Sequence, residues 1–175
     1  LYMHGWSHEA YLPNNTADGC DLIGGDTQGI DSTSSIHDSV FDGSDVDNSQ
    51  GYACVAIWGG PPNIYNNYFK ALSNGVITNY PTSFYQNTCE GLGASYDLLQ
   101  HTQCYESNVD RGVLFYNNLI QHVNVGIVAN ISPLPNYTAY VWNNVIWNTQ
   151  DNSNILVFSY PANTTTVGSF KVFNN

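Results

Sequence analysis

The chain has 175 residues, 42% of them hydrophobic but only 10% charged, and its fourteen acids against three bases give a formal net charge of −11. The bases are Lys70, Arg111 and Lys171, too few to neutralise the phosphates of a nucleic acid, and an anionic membrane surface is disfavoured for the same reason. An average soluble domain carries about 25% charged residues. Here Asn, Ser, Thr, Gly and Tyr fill the gap, which suits a long β structure with uncharged polar turns and does not suit a helical protein.

Taken in order, residues 1–34 read as an irregular segment or partial first coils. Within them Gly19-Cys20-Asp21-Leu22-Ile23-Gly24-Gly25-Asp26 reads as a short strand ended by a Gly-Gly turn, and Met3-His4-Gly5-Trp6 reads as a degenerate copy of the repeat described next. The chain opens in mid-pattern at Leu1, which reads as a mature or trimmed piece of something longer. No apolar run reaches the ~18 residues of a membrane span and no signal peptide is visible, so no membrane insertion is expected.

From residue 35 onward a six-residue unit recurs: Ile36-His37-Asp38-Ser39-Val40-Phe41, Ile64-Tyr65-Asn66-Asn67-Tyr68-Phe69, Phe84-Tyr85-Gln86-Asn87-Thr88-Cys89, Phe115-Tyr116-Asn117-Asn118-Leu119-Ile120 and Val141-Trp142-Asn143-Asn144-Val145-Ile146, with Val172-Phe173-Asn174-Asn175 last. The units begin roughly 20 to 31 residues apart, the period of a solenoid whose coils bury their apolar faces against their neighbours. Between them lie second strands: Ala53 to Trp58, Gly75 to Asn79, Gly126 to Asn130 and Ile155 to Phe158. The prolines from Pro61 onward fall in connections, where a missing N–H harms no sheet, and no stretch shows helical periodicity. Residues 90–111 read as a long insertion between coils.

Strand side chains alternate faces, so position one of each unit points inward and position two outward. The polar pair at positions three and four bends the chain. Asn at position four is expected to supply the left-handed corner and to bond the coils above and below, while Phe41, Phe69, Cys89, Ile120 and Ile146 at position six return to the interior. Stacked at ~4.8 Å, the Asn form a ladder and the apolar residues form columns. The expected fold is all-β: a single right-handed parallel β-helix of about five to seven coils over residues 35–175.

The units Ile36 to Gly43 and Tyr65 to Phe69 resemble those of secreted bacterial β-helix-repeat proteins of the pectate-lyase-like superfamily, and the resemblance covers roughly residues 35–175. It implies the fold. For function it leaves polysaccharide lyases, glycoside hydrolases, tailspikes and adhesins open. Lyases of that superfamily use Asp-bound calcium and an Arg or Lys base, and of the bases only Arg111 lies near acids and aromatics. Asp110-Arg111 also reads as a solvated turn pair. His101 with Glu106, in the insertion, is the other weak catalytic candidate, as an acid/base pair.

Two further candidates come from composition and spacing. Asp42, Asp45 and Asp47, with Asn48, offer oxygen ligands for Ca2+ on a Gly-containing loop, or form an acidic turn and nothing more. The outward row His37, Tyr65, Tyr85, Tyr116 and Trp142, continued by Phe173, offers an aromatic platform for a glycan or for another copy of the chain, or stacks upon itself. Cys20, Cys54, Cys89 and Cys104 lack the CxxC spacing of zinc or haem sites and fit two disulfides or buried thiols, with Cys89 a core residue by its place in the unit. Low charge and Asn-X-Ser/Thr sites at Asn14, Asn130, Asn136 and Asn163 favour a secreted or cell-surface setting. The expectation is therefore a non-catalytic extracellular solenoid, structural or adhesive, that contacts carbohydrate or neighbouring chains through its aromatic face; its open ends read either as those of a fragment of a longer solenoid or as surfaces that stack end to end into filaments. The alternative is a polysaccharide lyase or glycoside hydrolase.

Overall fold

The computed structural model describes residues 2–4, 21–23, 35–42, 55–58, 63–71, 74–78, 82–91, 103–107, 113–123, 125–130, 138–149, 153–158 and 169–175. They form β-strands and no helix, and the strands come in consecutive threes. The first three are β1 (Tyr2–His4), β2 (Asp21–Ile23) and β3 (Ser35–His37). Next come β4 (Val40–Asp42), β5 (Val55–Trp58) and β6 (Asn63–Tyr65), then β7 (Tyr68–Lys70), β8 (Asn74–Thr78) and β9 (Ser83–Tyr85). β10 (Thr88–Glu90), β11 (Gln103–Ser107) and β12 (Leu114–Tyr116) follow. β13 (Leu119–Gln121), β14 (Val125–Asn130) and β15 (Thr138–Trp142) precede the last three, β16 (Val145–Trp147), β17 (Ser153–Phe158) and β18 (Ser169–Phe173).

Every third strand pairs with the next of its kind. The first sheet is β1-β4-β7-β10-β13-β16, the second β2-β5-β8-β11-β14-β17 and the third β3-β6-β9-β12-β15-β18. All pairings are parallel. An all-parallel architecture in which the chain visits three sheets in rotation is compatible with a β-solenoid.

Register places like residues over like. Position one forms the column Ile36, Ile64, Phe84, Phe115, Val141 and Val172 in the third sheet, and position six forms Phe41, Phe69, Cys89, Ile120 and Ile146 in the first. These columns meet in one apolar core in which Phe41, Phe69, Phe84 and Phe115 are fully buried. Phe84 lies at its centre, stacked on Phe115 at 5.1 Å and on Phe69 at 6.0 Å, with Tyr105 tilted against it at 5.1 Å.

Tyr105 belongs to β11, inside the stretch 90–111 expected to be an insertion. The segment 103–107 is instead a buried member of the second sheet, with Tyr105 between Val76 and Ile127 in the register and its hydroxyl 2.9 Å from Thr78 Oγ1. The sequence does not mark this strand, because Gln103, Glu106 and Ser107 break the apolar pattern that marks the neighbouring strands. Burial pushes the Tyr105 phenol up to about 12. The segment 1–34 likewise contributes β1 and β2, but Met3 pairs with Phe41 and so occupies position six, not position one.

Cys89 is buried, as its place in the unit requires, and is also bonded to Cys104 across a sequence separation of 15. The bond ties β10 to β11 across the connection between them, and closing a loop of that length contributes about 3 kcal/mol in the chain-entropy account. Cys20 and Cys54 lie outside the described residues.

The corner between the third and first sheets takes two residues. Position three, not position four, carries the left-handed backbone: Asp38, Asn66, Gln86, Asn117, Asn143 and Asn174 all have φ between 51° and 56°. That leaves position four free to point inward. There Ser39, Asn67, Asn87, Asn118 and Asn144 are buried, and the Oδ1 atoms of Asn67, Asn87, Asn118, Asn144 and the terminal Asn175 each accept the backbone N–H of the preceding ladder residue at 2.9–3.1 Å. Each Nδ2 donates to the backbone carbonyl of the preceding unit's first residue (Ile36, Ile64, Phe84, Phe115 and Val141) at 3.0–3.2 Å. Amide also bonds to amide along the ladder at 2.8–3.4 Å. The ladder therefore satisfies polar groups that the corner would otherwise bury without partners.

Candidate functional site

Position two lies one residue from the inward column, so alternation turns it to the outer face of the third sheet. The register sets His37, Tyr65, Tyr85, Tyr116, Trp142 and Phe173 in one row. Their rings stack: centroids are 4.8 Å apart for His37–Tyr65, 5.0 Å for Tyr65–Tyr85 and 4.9 Å for Tyr85–Tyr116. Tyr116–Trp142 at 4.3 Å and Trp142–Phe173 at 5.9 Å complete the row, and none of the five pairs departs from parallel by more than 10°. The rings do stack on one another, and the row presents ring edges and tyrosine hydroxyls outward, since the faces within it are engaged by neighbours. Tyr65, Tyr85, Tyr116 and Trp142 are half-buried. Burial, with Tyr116 and Tyr65 alongside, raises the Tyr85 phenol.

Beside this row runs a second one, at the corner. The position-three side chains of Asp38, Asn66, Gln86, Asn117, Asn143 and Asn174 are all exposed. Asp38 accepts from Asn66 Nδ2 and lies 2.7 Å from His37 Nδ1, and the His37 hydrogen bond is the first cause that holds its carboxyl below the ordinary value. Sequence reasoning saw these residues only as chain-bending polar groups. Their uniform carboxamide and carboxylate chemistry was the signal available.

The remaining candidates fall elsewhere. Asp42 ends β4 on the first sheet, nearly buried, with Oδ2 3.5 Å from Lys70 Nζ on the adjacent strand. Asp45 and Asp47, the other proposed calcium ligands, lie outside the described residues. One strand beyond Lys70, Glu90 accepts the hydroxyl of Tyr68. That bond, reinforced by burial and by the Glu90 charge, pushes the Tyr68 phenol up to about 12. A phenol whose folded pKa lies above the usual ~10 favours the fold below pH ~10 and loses that contribution as pH rises through ~12. Spectrophotometric titration at 295 nm should therefore show Tyr68 ionising near pH 12, and Glu90→Gln should bring one tyrosine back toward 10. An unchanged profile would show that Glu90 does not hold Tyr68.

Glu106, half of the weak acid/base pair, is buried on β11 and accepts a hydrogen bond from Gln103 Nε2. His101 and Arg111 lie outside the described residues, as do Asn14, Asn136 and Asn163. Among the described residues no three His, Cys, Asp or Glu side chains cluster as a metal site would need. The structure thus brings together the aromatic row and the corner carboxamides, and it places Asp42 and Glu106 apart from both, on the other two sheets.

No family model matches the chain, and neither a curated protein nor a solved structure matches it.

Proposed function

We propose that the chain is a non-catalytic extracellular β-solenoid with a structural or adhesive role, a right-handed parallel β-helix of five to seven coils that contacts carbohydrate through its aromatic face. Its likeness to pectate-lyase-type repeats belongs to this reading, with the fold shared and the enzyme chemistry left aside. The observation that carries it is the unbroken outer row from His37 to Phe173, six rings in register on one sheet with their edges toward solvent. A row of aromatic rings that includes the hydroxyls of Tyr65, Tyr85 and Tyr116 offers apolar contact and hydrogen bonding together, the combination a sugar surface requires. Stiffness comes from the interior: stacked Phe columns, the Asn ladder and the Cys89–Cys104 bond all resist bending between neighbouring strands.

Affinity electrophoresis in gels containing neutral polysaccharides tests the reading. The chain should be retarded by at least one of them, and Trp142→Ala should weaken the retardation about tenfold. Equal retardation of both proteins would remove the aromatic row as the contact surface.

A further inference from the structure

Among the described residues a left-handed backbone recurs at two corners, and they differ in a way that backbone conformation does not explain. After the first-sheet strands, the positive-φ residues are Ala71, Gly91, His122 and Asn148, a mixed set. These four show what the conformation alone admits. After the third-sheet strands the same conformation is taken six times out of six by Asp, Asn or Gln, and never by Gly, the residue best suited to it. Gln86 is the most telling of these, because the local backbone bonding that helps Asn and Asp into this region is less accessible to the longer side chain.

Neither do neighbour contacts account for the uniformity. Asn66 bonds to Asp38, but the side-chain amides of Gln86, Asn117 and Asn143 make no hydrogen bond with any described residue. They stand exposed, one per strand spacing of about 4.8 Å, immediately beside Tyr85, Tyr116 and Trp142. A carboxamide both donates and accepts, carries no charge, and pairs well with adjacent hydroxyls.

We infer that the corner carboxamides Gln86, Asn117 and Asn143, with Asp38 and Asn66 continuing the row, bind an extended neutral glycan laid parallel to the aromatic row. This rests on the glycan-contacting role proposed above and names the polar half of that site. The repeat along the row is close to the rise of one residue in an extended β-linked pyranose chain. Each sugar then meets one carboxamide and one aromatic edge. The net charge of −11 repels uronic-acid polymers, so the partner is an uncharged one.

The test is the triple variant Gln86→Gly/Asn117→Gly/Asn143→Gly. Glycine adopts positive φ without penalty, so the corner keeps its shape while the amides are removed. The intact chain and the variant are compared by pull-down on amorphous cellulose and chitin and by calorimetry with soluble xylan, with polygalacturonate as the acidic control. A second triple variant, Ala71→Gly/His122→Gly/Asn148→Gly, controls for corner flexibility. The expected result is binding to at least one neutral glycan and none to polygalacturonate, an affinity at least tenfold weaker in the first variant, and no change in the second. If the first variant binds as well as the intact chain while Trp142→Ala does not, the carboxamide row is overturned and the aromatic site stands. If the intact chain binds none of the three neutral glycans, both fall. Self-association of the intact chain that the first variant abolishes, without glycan binding, would make the occupant a second copy and overturn the glycan assignment.

Discussion

Asn118→Ala should lower the free energy of unfolding by roughly 3–5 kcal/mol, measured as a shift of the urea midpoint with an unchanged slope. The size follows from what Asn118 serves. Its Oδ1 accepts the buried N–H of Asn87 at 2.9 Å, and its Nδ2 donates to the Phe84 carbonyl at 3.1 Å and to Asn144 Oδ1 at 2.9 Å. Alanine removes every one of these bonds and leaves each partner in a place with few alternatives, and an unsatisfied buried polar group costs about 1–3 kcal/mol. The exposed neighbour supplies the contrast. Asn143→Gly touches no buried partner and keeps the positive φ, so its effect should stay within about 0.5 kcal/mol. Similar losses for the two substitutions would mean that position four does not carry the ladder.

Phe84→Ala should cost about 3–5 kcal/mol in the same assay. Phe84 is fully buried and touches rings from all three sheets: Phe69 from the first, Tyr105 from the second and Phe115 from its own. Removing the ring leaves a cavity among close-packed side chains of three sheets, which relax only partly to fill it. The half-buried Tyr85, next in the chain and facing outward, sets the comparison, and Tyr85→Ala should cost clearly less. A loss at Tyr85 equal to that at Phe84 would mean that the assignment of inner and outer faces is reversed.

Much of this arrangement was legible in the residues, and what was not has physical reasons. The columns Ile36–Val172 and Phe41–Ile146 follow from strand alternation, as does the outer aromatic row, because a two-residue period leaves no freedom once one inward residue is known. Asn at position four announced the ladder. It does not announce that its neighbour at position three takes the left-handed turn, since Asn is suited to both tasks and fills both places in four of the units. The strand 103–107 stayed hidden because its burial comes from Tyr105 and from hydrogen-bonded polar groups, not from an apolar run. The register of Met3 is ambiguous in the sequence because its segment has no position-four Asn to anchor it, and the pairing of Met3 with Phe41 settles it as position six. Asp42 looked like part of an acidic loop, but its pairing with Lys70 depends on strands 28 residues apart in the register Asp42↔Lys70, which spacing alone does not reveal.

Everything proposed about the outer surface depends on the parallel register, and the Asn ladder reports that register most directly. Nuclear magnetic resonance of the side-chain amides tests it. The carboxamide protons of Asn67, Asn87, Asn118 and Asn144 should exchange slowly with solvent and show cross-relaxation only from each to the next, Asn67 to Asn87, Asn87 to Asn118 and Asn118 to Asn144. The amides of Asn117 and Asn143, one residue away and exposed, should exchange fast. Fast exchange at all of these positions, or contacts that skip or reorder the series, would contradict the stacked register and the surface built on it.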